Sequence, residues 1–446
     1  MKVLLSFFAT ILTATAFTQT REEKLQQLME AYFKTGKLNG AVLITQHGKT
    51  LLNRGYGLRD ISDHLPNDTN TVFQVGSVTK QFTATVILKL EEMKKLNISD
   101  KISKYFPGYP NGDSITIEHL LNHTSGIFNY TDDRVFMQTK AVNPVTEDVM
   151  LAFFKNHPLK FSPGSHWEYS NSNYILLGYI IEKITRKPYE TVVEDMIFKP
   201  LRMNASGFNF KEFKSDNKAK GYMVYSMENG KESMEFDPTV SYAAGAMYST
   251  TGDLYKWQKG MSFNKIITKA SSDKATTPNN NHYGFGNYIL NINGKKLLAH
   301  GGLTFGYSSY LGRVDEDDIS IVILNNIVNT SINDIAKDVL NLLYNKPYKL
   351  PEIIKEVTLS HEILNKYTGS YQIAPQVLVV ITVENGQLFG QATGQNKMLL
   401  TAQKEDYFFI KGADVQIAFR KDASGAVSEL LLTDGGKEIL APRVSN

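Results

Sequence analysis

The spacing of apolar positions predicts the secondary structure at the start of the chain. Residues Arg21–Thr35 carry apolar side chains at helical spacing. Two strand-like runs follow, Ala41–Gln46 and Thr50–Tyr56, with a turn signal at Gly48 between them. This part of the chain therefore predicts one amphipathic helix and then a β-hairpin.

The middle of the chain has a helical pattern, and strand signals return after it. From residue 77 to about 201 the pattern predicts helices separated by loops, with a strongly apolar helix at Tyr174–Ile184. The polar stretches 211–240 and 268–282 are predicted to be loops. Later strand-like runs are Tyr288–Ile292, Lys296–Ala299, Ser308–Arg313 and Ile319–Leu324. Strands at both ends predict one sheet, completed by distant pieces of chain and packed against a helical region.

The pattern changes again beyond a linker that contains Pro347 and Pro351. Short strand-like runs follow at Val377–Val383, Gln387–Gln391, Met398–Ala402, Tyr407–Lys411, Val415–Arg420 and Val427–Leu432. Glycine-containing turns such as Asn385-Gly386 join some of them as hairpins. This region predicts a small all-β sandwich or barrel.

These patterns predict an α+β fold, an α/β sandwich in which a mainly antiparallel sheet packs with a helical region, plus a C-terminal all-β barrel-like domain. We expect a leader at residues 1–19, a first domain at 20–345, a linker at 346–360 and the β domain at 361–446.

The N-terminus has the features of an export signal. Lys2 gives it a positive charge, Val3–Leu12 is mainly apolar, and Ala14-Thr15-Ala16 resembles a cleavage site. We expect cleavage after Ala16 or near Gln19, and no later segment is apolar enough to span a membrane. The mature protein is therefore predicted to be periplasmic or secreted, without stable insertion in the membrane.

Composition excludes several classes of function. The 446 residues include 48 basic and 45 acidic residues, which gives a formal net charge of +3. Basic and acidic residues are interspersed along the chain, so no nucleic-acid partner is expected. The chain contains no cysteine, which excludes disulfides, a cysteine nucleophile and a lipidated cysteine. We expect no metal and no cofactor.

Ser77 and Lys80 are the first candidate site residues. Three residues apart on a helix, they lie on one face, and the apolar run after them predicts a buried helix. Burial lowers the pKa of a lysine, which can then take the proton of a serine hydroxyl. The same spacing occurs in three polar stretches, at Ser215/Lys218, Ser262/Lys265 and Ser271/Lys274, so the spacing alone decides nothing.

Two further motifs contain candidate residues. Tyr169 can relay a proton, through a pKa depressed by a nearby ammonium, and Asn171 can hold a substrate carbonyl. His300, Gly301 and Gly302 follow a strand-like run, where glycines indicate close approach of another backbone or a ligand. The alternatives are a packing tyrosine with a turn asparagine, and a structural histidine; His282-Tyr283-Gly284 has the same spacing as the last motif.

The order and the flanks of these motifs resemble one family. The run from Phe73 to Thr83 resembles the first motif of the serine β-lactamase/penicillin-binding superfamily, in its class C, D,D-carboxypeptidase and D-aminopeptidase branch. Stretches typical of that branch are Leu120-Leu121-Asn122-His123-Thr124-Ser125-Gly126, Phe161-Ser162-Pro163-Gly164 and Ala243-Ala244-Gly245 to Asp253-Leu254. The resemblance covers about residues 22–345, and residues 361–446 resemble a lipocalin-like domain found behind some of these peptidases.

The resemblance implies a role for each matching position. Ser77 would be the acylated nucleophile, Lys80 its activating partner and Tyr169 a proton shuttle. Substrate would bind at Asn171 and at the strand motif His300, Gly301 and Gly302. The oxyanion hole would consist of the backbone N–H groups of Ser77 and Leu303.

Two departures from the family pattern bear on the substrate. Relatives most active on β-lactams carry lysine at the position of His300 and threonine or serine at that of Gly301. Without that charge and hydroxyl, recognition of a substrate carboxylate is weakened. We therefore expect an exported serine hydrolase that forms an acyl-enzyme with D-configured amides or short peptides.

Three alternatives stay open at this point. They are an esterase, a weak class C-like β-lactamase, and a slow-turnover penicillin-binding protein that senses cell-wall fragments. The expected partner is a small peptide, amide or ester. His119 and His123 have i, i+4 spacing, but the Thr-Ser-Gly that follows favours a structural turn over a metal site.

Overall fold

The computed structural model describes residues 19–225, 230–279, 281–328, 332–352, 355–395, 397–410, 415–434 and 437–444. The helices are α1 Arg21–Lys34, α2 Thr79–Glu92, α3 Ile117–Leu121, α4 Arg134–Lys140, α5 Glu147–Lys155, α6 Asn171–Thr185, α7 Tyr189–Val193, α8 Lys199–Leu201, α9 Pro238–Gly245, α10 Thr251–Ser262, α11 Lys269–Ala275, α12 Ile332–Leu343 and α13 His361–Asn365. The predicted leader, apart from its last position, lies outside the described residues.

The strands follow the same chain order. They are β1 Gly40–Gln46, β2 Lys49–Tyr56, β3 Leu58–Asp60, β4 Leu65–Pro66, β5 Phe73–Gln74, β6 Tyr222–Tyr225, β7 Gly230–Glu232, β8 Tyr248–Ser249, β9 Tyr288–Ile292, β10 Lys295–Thr304, β11 Tyr307–Val314, β12 Ile319–Asn325, β13 Gly369–Ala374, β14 Val377–Glu384, β15 Gln387–Ala392, β16 Met398–Lys404, β17 Tyr407–Phe409, β18 Val415–Lys421, β19 Val427–Asp434 and β20 Lys437–Val444.

A six-stranded antiparallel sheet in the order β2-β1-β12-β11-β10-β9 forms the centre of the first domain. β1 pairs with β12, with Gly40 opposite Asn325, so strands from the two ends of the domain meet in mid-sheet. The predicted fold class, a mainly antiparallel sheet with a helical region and a C-terminal barrel, is confirmed.

Each face of the sheet has its own hydrophobic core. Val42 and Ile44 of β1 belong to the core that α1 and α12 form on one face. Ala41 and Leu43 alternate with them and belong to the larger core that contains α2 and α6 on the other face. The result is a helix–sheet–helix sandwich with α2 in its interior.

α2 is buried at every position from Thr79 to Leu88. Phe82 stacks on Trp257 of α10 with ring centroids 4.2 Å apart, and the Trp257 indole N–H donates to Gln81 Oε1 at 2.9 Å. A helix packed on all sides cannot shift without disturbing the core. The N-terminus of α2 is therefore a rigid platform for any group placed there.

The C-terminal strands close into an antiparallel barrel, β13 to β20. Aliphatic and aromatic side chains form its described core, in which Tyr367 stacks on Phe419 with ring centroids 4.5 Å apart. Asn385 and Gly386, both at positive φ, form the tight turn between β14 and β15 that the sequence predicts.

Several elements differ from the sequence prediction. Helix α11 lies in the predicted loop 268–282, because Thr268 caps its N-terminus although it buries only Ser271 and Ala275. β6, β7 and the start of α9 lie in the predicted loop 211–240. Strand β20 has no alternating pattern to detect, because Ala441 is its one buried position, and β13 before the first predicted barrel strand was also missed.

Candidate active site

Ser77 lies in a tight turn at the start of α2. The turn is a 3₁₀ helix, Gly76–Val78, that leads directly into α2, so the serine precedes the first α-helical turn. Gly76 has φ 51°, and a Cβ at this position would lie 2.9 Å from the backbone nitrogen of Leu303. Glycine is suited to both the left-handed backbone and this close approach. The nucleophile turn and strand β10 therefore contact each other through bare backbone.

The amine of Lys80 contacts three oxygens. Its Nζ lies 3.0 Å from Ser77 Oγ, 2.7 Å from Asn171 Oδ1 and 2.8 Å from the carbonyl oxygen of Ala244. The amide and carbonyl oxygens can only accept hydrogen bonds. A neutral amine uses its two N–H groups on these oxygens, which leaves its lone pair directed at the Ser77 hydroxyl.

The surroundings of Lys80 favour this neutral form. The residue is fully buried, and burial lowers the pKa of its amine well below the ordinary value of 10.5. Among the described residues, no carboxylate forms an ion pair with it that would raise the pKa again. Lys80 can therefore take a proton without first losing one.

Asn171 is fixed by its own hydrogen bonds at the start of α6. Its Nδ2 donates to Thr131 Oγ1 at 3.1 Å and its backbone N–H donates to Asn129 Oδ1 at 2.9 Å. These contacts orient the amide so that Oδ1 faces Lys80 and the nitrogen faces away. The loop 129–131 thus sets the direction of one N–H of the lysine.

Tyr169 completes the cluster around the serine. Its ring centroid lies 5.0 Å from Lys80 Nζ, and its hydroxyl is within hydrogen-bonding reach of Ser77. Burial raises the pKa of the phenol well above 10.0, although the contact with Ser77 acts in the opposite direction. The depressed pKa expected from the sequence is therefore wrong, because burial of the phenol outweighs the contact with Ser77 and favours the protonated form.

Strand β10 places backbone groups beside this cluster. β9 pairs with Lys295–Ala299, and among the described residues no strand pairs with that edge of β10 beyond Ala299. A two-residue loop joins Thr304 to Tyr307, so Thr304 and Tyr307 form a hydrogen-bonded pair of the hairpin. Because hydrogen-bonded and non-hydrogen-bonded pairs alternate along an antiparallel ladder, the preceding residue Leu303 directs its N–H away from β11. That N–H lies beside the nucleophile turn.

Gly302 holds β10 against the same turn. A Cβ on Gly302 would lie 2.0 Å from the carbonyl oxygen of Val75, whereas one on Gly301 would meet nothing closer than 3.6 Å. The two glycines of the motif therefore differ: the chain requires a glycine at 302 for backbone contact, but not at 301.

His300 is buried and bonds only to protein groups. Its Nδ1 lies 2.6 Å from the Gly301 carbonyl, so this nitrogen carries the proton, and Nε2 accepts from the Tyr283 hydroxyl at 3.0 Å. Burial lowers its pKa to about 3. The histidine is therefore neutral and has both nitrogens occupied by protein groups.

Some residues of this region were missed from the sequence. Tyr283, in the motif that looked like a spurious repeat of His300-Gly301-Gly302, packs against Tyr169 and hydrogen-bonds His300. Asn129 and Thr131 had no signal of their own. The Ala244 carbonyl is a main-chain group, which no residue pattern reveals.

Comparison with known proteins identifies the family. The Beta-lactamase family model matches residues 22–344. The chain belongs to the Beta-lactamase family. The predicted resemblance to the serine β-lactamase/penicillin-binding superfamily is thereby confirmed, and this member of the Beta-lactamase family is a serine hydrolase.

Relatives extend over nearly the whole chain. Penicillin-binding protein 4* of Bacillus subtilis (strain 168) is 30% identical over 94% of this chain and 98% of its own. The octameric penicillin-binding protein homologue from Pyrococcus abyssi is 26% identical, with TM-score 0.65 over 94% of this chain and 99% of that chain. A D-stereospecific amidohydrolase from Streptomyces sp. is 26% identical, with TM-score 0.59 over 69% of this chain and 94% of that chain.

The C-terminal region matches a separate family model. Residues 355–441 match a domain of unknown function, DUF3471, which covers the barrel. Across the part of the chain that the structure describes, no helix is long and apolar enough to cross a membrane, and no group of three His, Asp or Glu side chains is placed to hold a metal ion.

Proposed function

We propose that this protein is an exported serine hydrolase that forms an acyl-enzyme at Ser77 with D-configured amides or short peptides. The observation that carries the proposal is the contact between Ser77 Oγ and Lys80 Nζ at 3.0 Å. The other two partners of the amine are acceptors, so its lone pair faces the serine proton. A serine held in this way is an activated nucleophile.

Acylation follows from this arrangement. Ser77 Oγ attacks the substrate carbonyl carbon while its proton passes to Lys80, which becomes an ammonium ion. The backbone N–H groups of Ser77 and Leu303 stabilise the oxyanion that forms. When the bond to the leaving amine breaks, Tyr169 donates its proton to the amine and regains one from Lys80.

Deacylation uses the same groups in reverse. A water molecule gives one proton to the Tyr169–Lys80 pair and attacks the acyl carbon, and Ser77 Oγ leaves with a proton returned by that pair. Asn171 serves both halves, because it orients the amine of Lys80, and it can also contact the substrate amide.

The cleft residues favour a substrate without a carboxylate beside the scissile bond. Position 300 holds a neutral histidine whose nitrogens are both occupied, and Gly301 has no hydroxyl. Neither residue offers a charge or donor to such a carboxylate. The D-configuration is supported by likeness to the D-stereospecific amidohydrolase.

Labelling with a serine-reactive fluorophosphonate tests the proposal. The intact mass of the wild-type protein is expected to increase by one adduct, and the Ser77→Ala variant is expected to show none. Ser271→Ala, in a pair of the same Ser-x-x-Lys spacing, is the matched control and should label normally. An adduct that persists in Ser77→Ala would overturn the assignment.

The same spectrum tests export. Protein recovered from the periplasm or medium is expected to lack the leader, and its intact mass should correspond to a chain that starts after Ala16 or near Gln19.

A panel of substrates tested in parallel ranks the substrate classes. The panel contains D-amino-acid amides, D-alanyl-D-alanine peptides, nitrophenyl esters and a chromogenic cephalosporin.

A second candidate is a slow-turnover penicillin-binding protein. Similarity to penicillin-binding protein 4* over 94% of the chain favours it. A stable penicillin adduct on Ser77, without turnover of any amide or ester, would support this reading over hydrolysis.

A further inference from the structure

His123 contacts the chain on both sides of Tyr169. Its backbone carbonyl accepts from the Glu168 N–H at 3.1 Å, and its ring Nδ1 accepts from the Ser170 N–H at 3.3 Å. The imidazole also lies against the tyrosine, with ring centroids 4.4 Å apart. One residue thus accepts hydrogen bonds from the N–H groups of the residues before and after Tyr169 and contacts its ring.

The hydrogen bonds of His123 define its protonation. Asn173 Oδ1 accepts from Ser125 Oγ at 2.6 Å, so its Nδ2 faces the histidine and donates to Nδ1 at 3.2 Å. With two donors directed at it, Nδ1 carries no proton, and the neutral ring has its proton on Nε2. Burial lowers the pKa of His123 well below 6.5, which keeps the ring neutral.

The backbone of His123 is also unusual. The residue has φ 61°, in the left-handed region where most side chains are disfavoured but asparagine and glycine are accommodated. This conformation directs both its carbonyl and its ring toward the same short segment, 168–170. A strained backbone maintained in the interior is common at functional sites.

We propose that His123 is a positioning residue that holds the Tyr169 hydroxyl at Ser77 through the acceptor at Nδ1. The inference rests on the proposed function, since it assigns the residue that places the proton relay. His123 itself does not touch the reacting atoms. Loss of the acceptor releases the Ser170 peptide group and with it Tyr169, so the rate of acylation by an amide falls while substrate binding changes little.

The histidine can be replaced without backbone strain in two ways. H123G keeps the left-handed conformation but removes the acceptor and the ring. H123N keeps that conformation and places Oδ1 where Nδ1 lies, so Ser170 and Asn173 retain their partner. H123G and H123N therefore differ in whether an acceptor faces the Ser170 N–H, while both accommodate the left-handed backbone.

Two readouts are measured on the full chain. The first is kcat and KM on an active amide, whose leaving amine takes its proton from Tyr169; H123G is expected to lower kcat by ~10²-fold, because a shift of about 1 Å has that effect. KM should change by less than about threefold, and H123N should keep kcat within about fivefold of wild type, since its hydrogen bond is retained. Thermal unfolding verifies that both variants are folded.

Hydrogen exchange of two amides is the second readout and needs no activity. The Ser170 amide should exchange faster in H123G than in the wild type or H123N. The Glu168 amide bonds to the main chain of residue 123 and should be unchanged in all three, so it is an internal control.

The outcomes separate this inference from the proposed function. Wild-type protein that does not label at Ser77 overturns the proposed function, and the exchange of Ser170 then decides alone whether His123 holds the segment. Labelled wild type with an unchanged kcat on the amide in folded H123G overturns the positioning role. So does an H123N variant slowed as much as H123G.

Discussion

The catalytic domain, up to Leu343, and the C-terminal barrel differ in which polar side chains they bury and in how closely their backbones approach each other. Around Ser77 the chain buries a lysine, keeps His123 at positive φ, and brings two backbones together at Gly76 and Gly302. The described barrel follows ordinary rules: apolar and aromatic side chains lie inside, charged side chains lie outside, and glycines occupy the turns.

The difference indicates where the chemistry lies. A buried amine and a strained backbone cost stability, and they persist where the surrounding structure holds them for a purpose. The described barrel buries no lysine or histidine, and its non-glycine residues at positive φ, Gln376 and Asn385, lie in exposed turns. An eight-stranded barrel is just wide enough for side chains to fill. Its packed interior leaves the outer surface as the part able to act on anything else.

The largest effect is expected at Gly302. Gly302→Ala places a Cβ 2.0 Å from the Val75 carbonyl, so β10 must move away from the nucleophile turn. The Leu303 N–H moves with it, and loss of an oxyanion donor lowers kcat by ~10²–10³-fold. Steady-state kinetics on an active amide or ester measures the change.

Gly301→Ala is the matched control for this prediction. Its Cβ would lie 3.6 Å from the Ser309 carbonyl, an ordinary contact, and we expect kcat within about threefold of wild type. Equal losses in the two variants would show that the motif needs glycine for another reason than backbone approach.

The pH profile gives the next effect in size. Lys80 must be neutral to accept the serine proton, so kcat/KM falls by about tenfold per pH unit below its pKa. Because burial lowers that pKa, the plateau should be reached well below pH 10.5. Tyr169 has a raised pKa and keeps its proton, so no decline is expected up to about pH 10.

Stopped assays in overlapping buffers across pH 5–10 can measure this profile. A kcat/KM that still rises at pH 10, as expected for a lysine with the ordinary pKa of 10.5, would contradict the assignment of a neutral Lys80. A kcat/KM that falls above pH 8 would contradict the assignment of a protonated Tyr169.

Elements with a clear period were predictable from the sequence. The hairpin β1–β2, the buried helices α2 and α6, and the inner barrel strands follow from apolar spacing and glycine turns. β20 and α11 were not predictable, because each buries too few residues to give a pattern. Local spacing thus predicts an element in proportion to how much of it is buried.

The side chains of the candidate site were predictable from the sequence, but their pKa shifts and main-chain partners were not. Ser77, Lys80, Tyr169 and Asn171 are named by their motifs, and the fold brings them together. The Ala244 carbonyl, 164 residues from Lys80 in the chain, is a main-chain group and leaves no residue signature. The directions of the pKa shifts of Lys80 and Tyr169 follow from burial, which only the folded chain defines.

The smallest effect on activity, with a large one on stability, is expected in the barrel. Phe419→Ala removes a ring that packs on Tyr367 and Phe408, which should destabilise the barrel by about 3–5 kcal/mol. Labelling of Ser77 should change by less than about threefold, because every group placed around it belongs to the catalytic domain.

Phe82→Ala, which removes a buried ring in α2, is the matched variant. It should lose similar stability but label at Ser77 much more slowly. Denaturant unfolding and labelling rates compare the two, and a Phe419→Ala variant slowed as much as Phe82→Ala would mean that the barrel takes part in shaping the site.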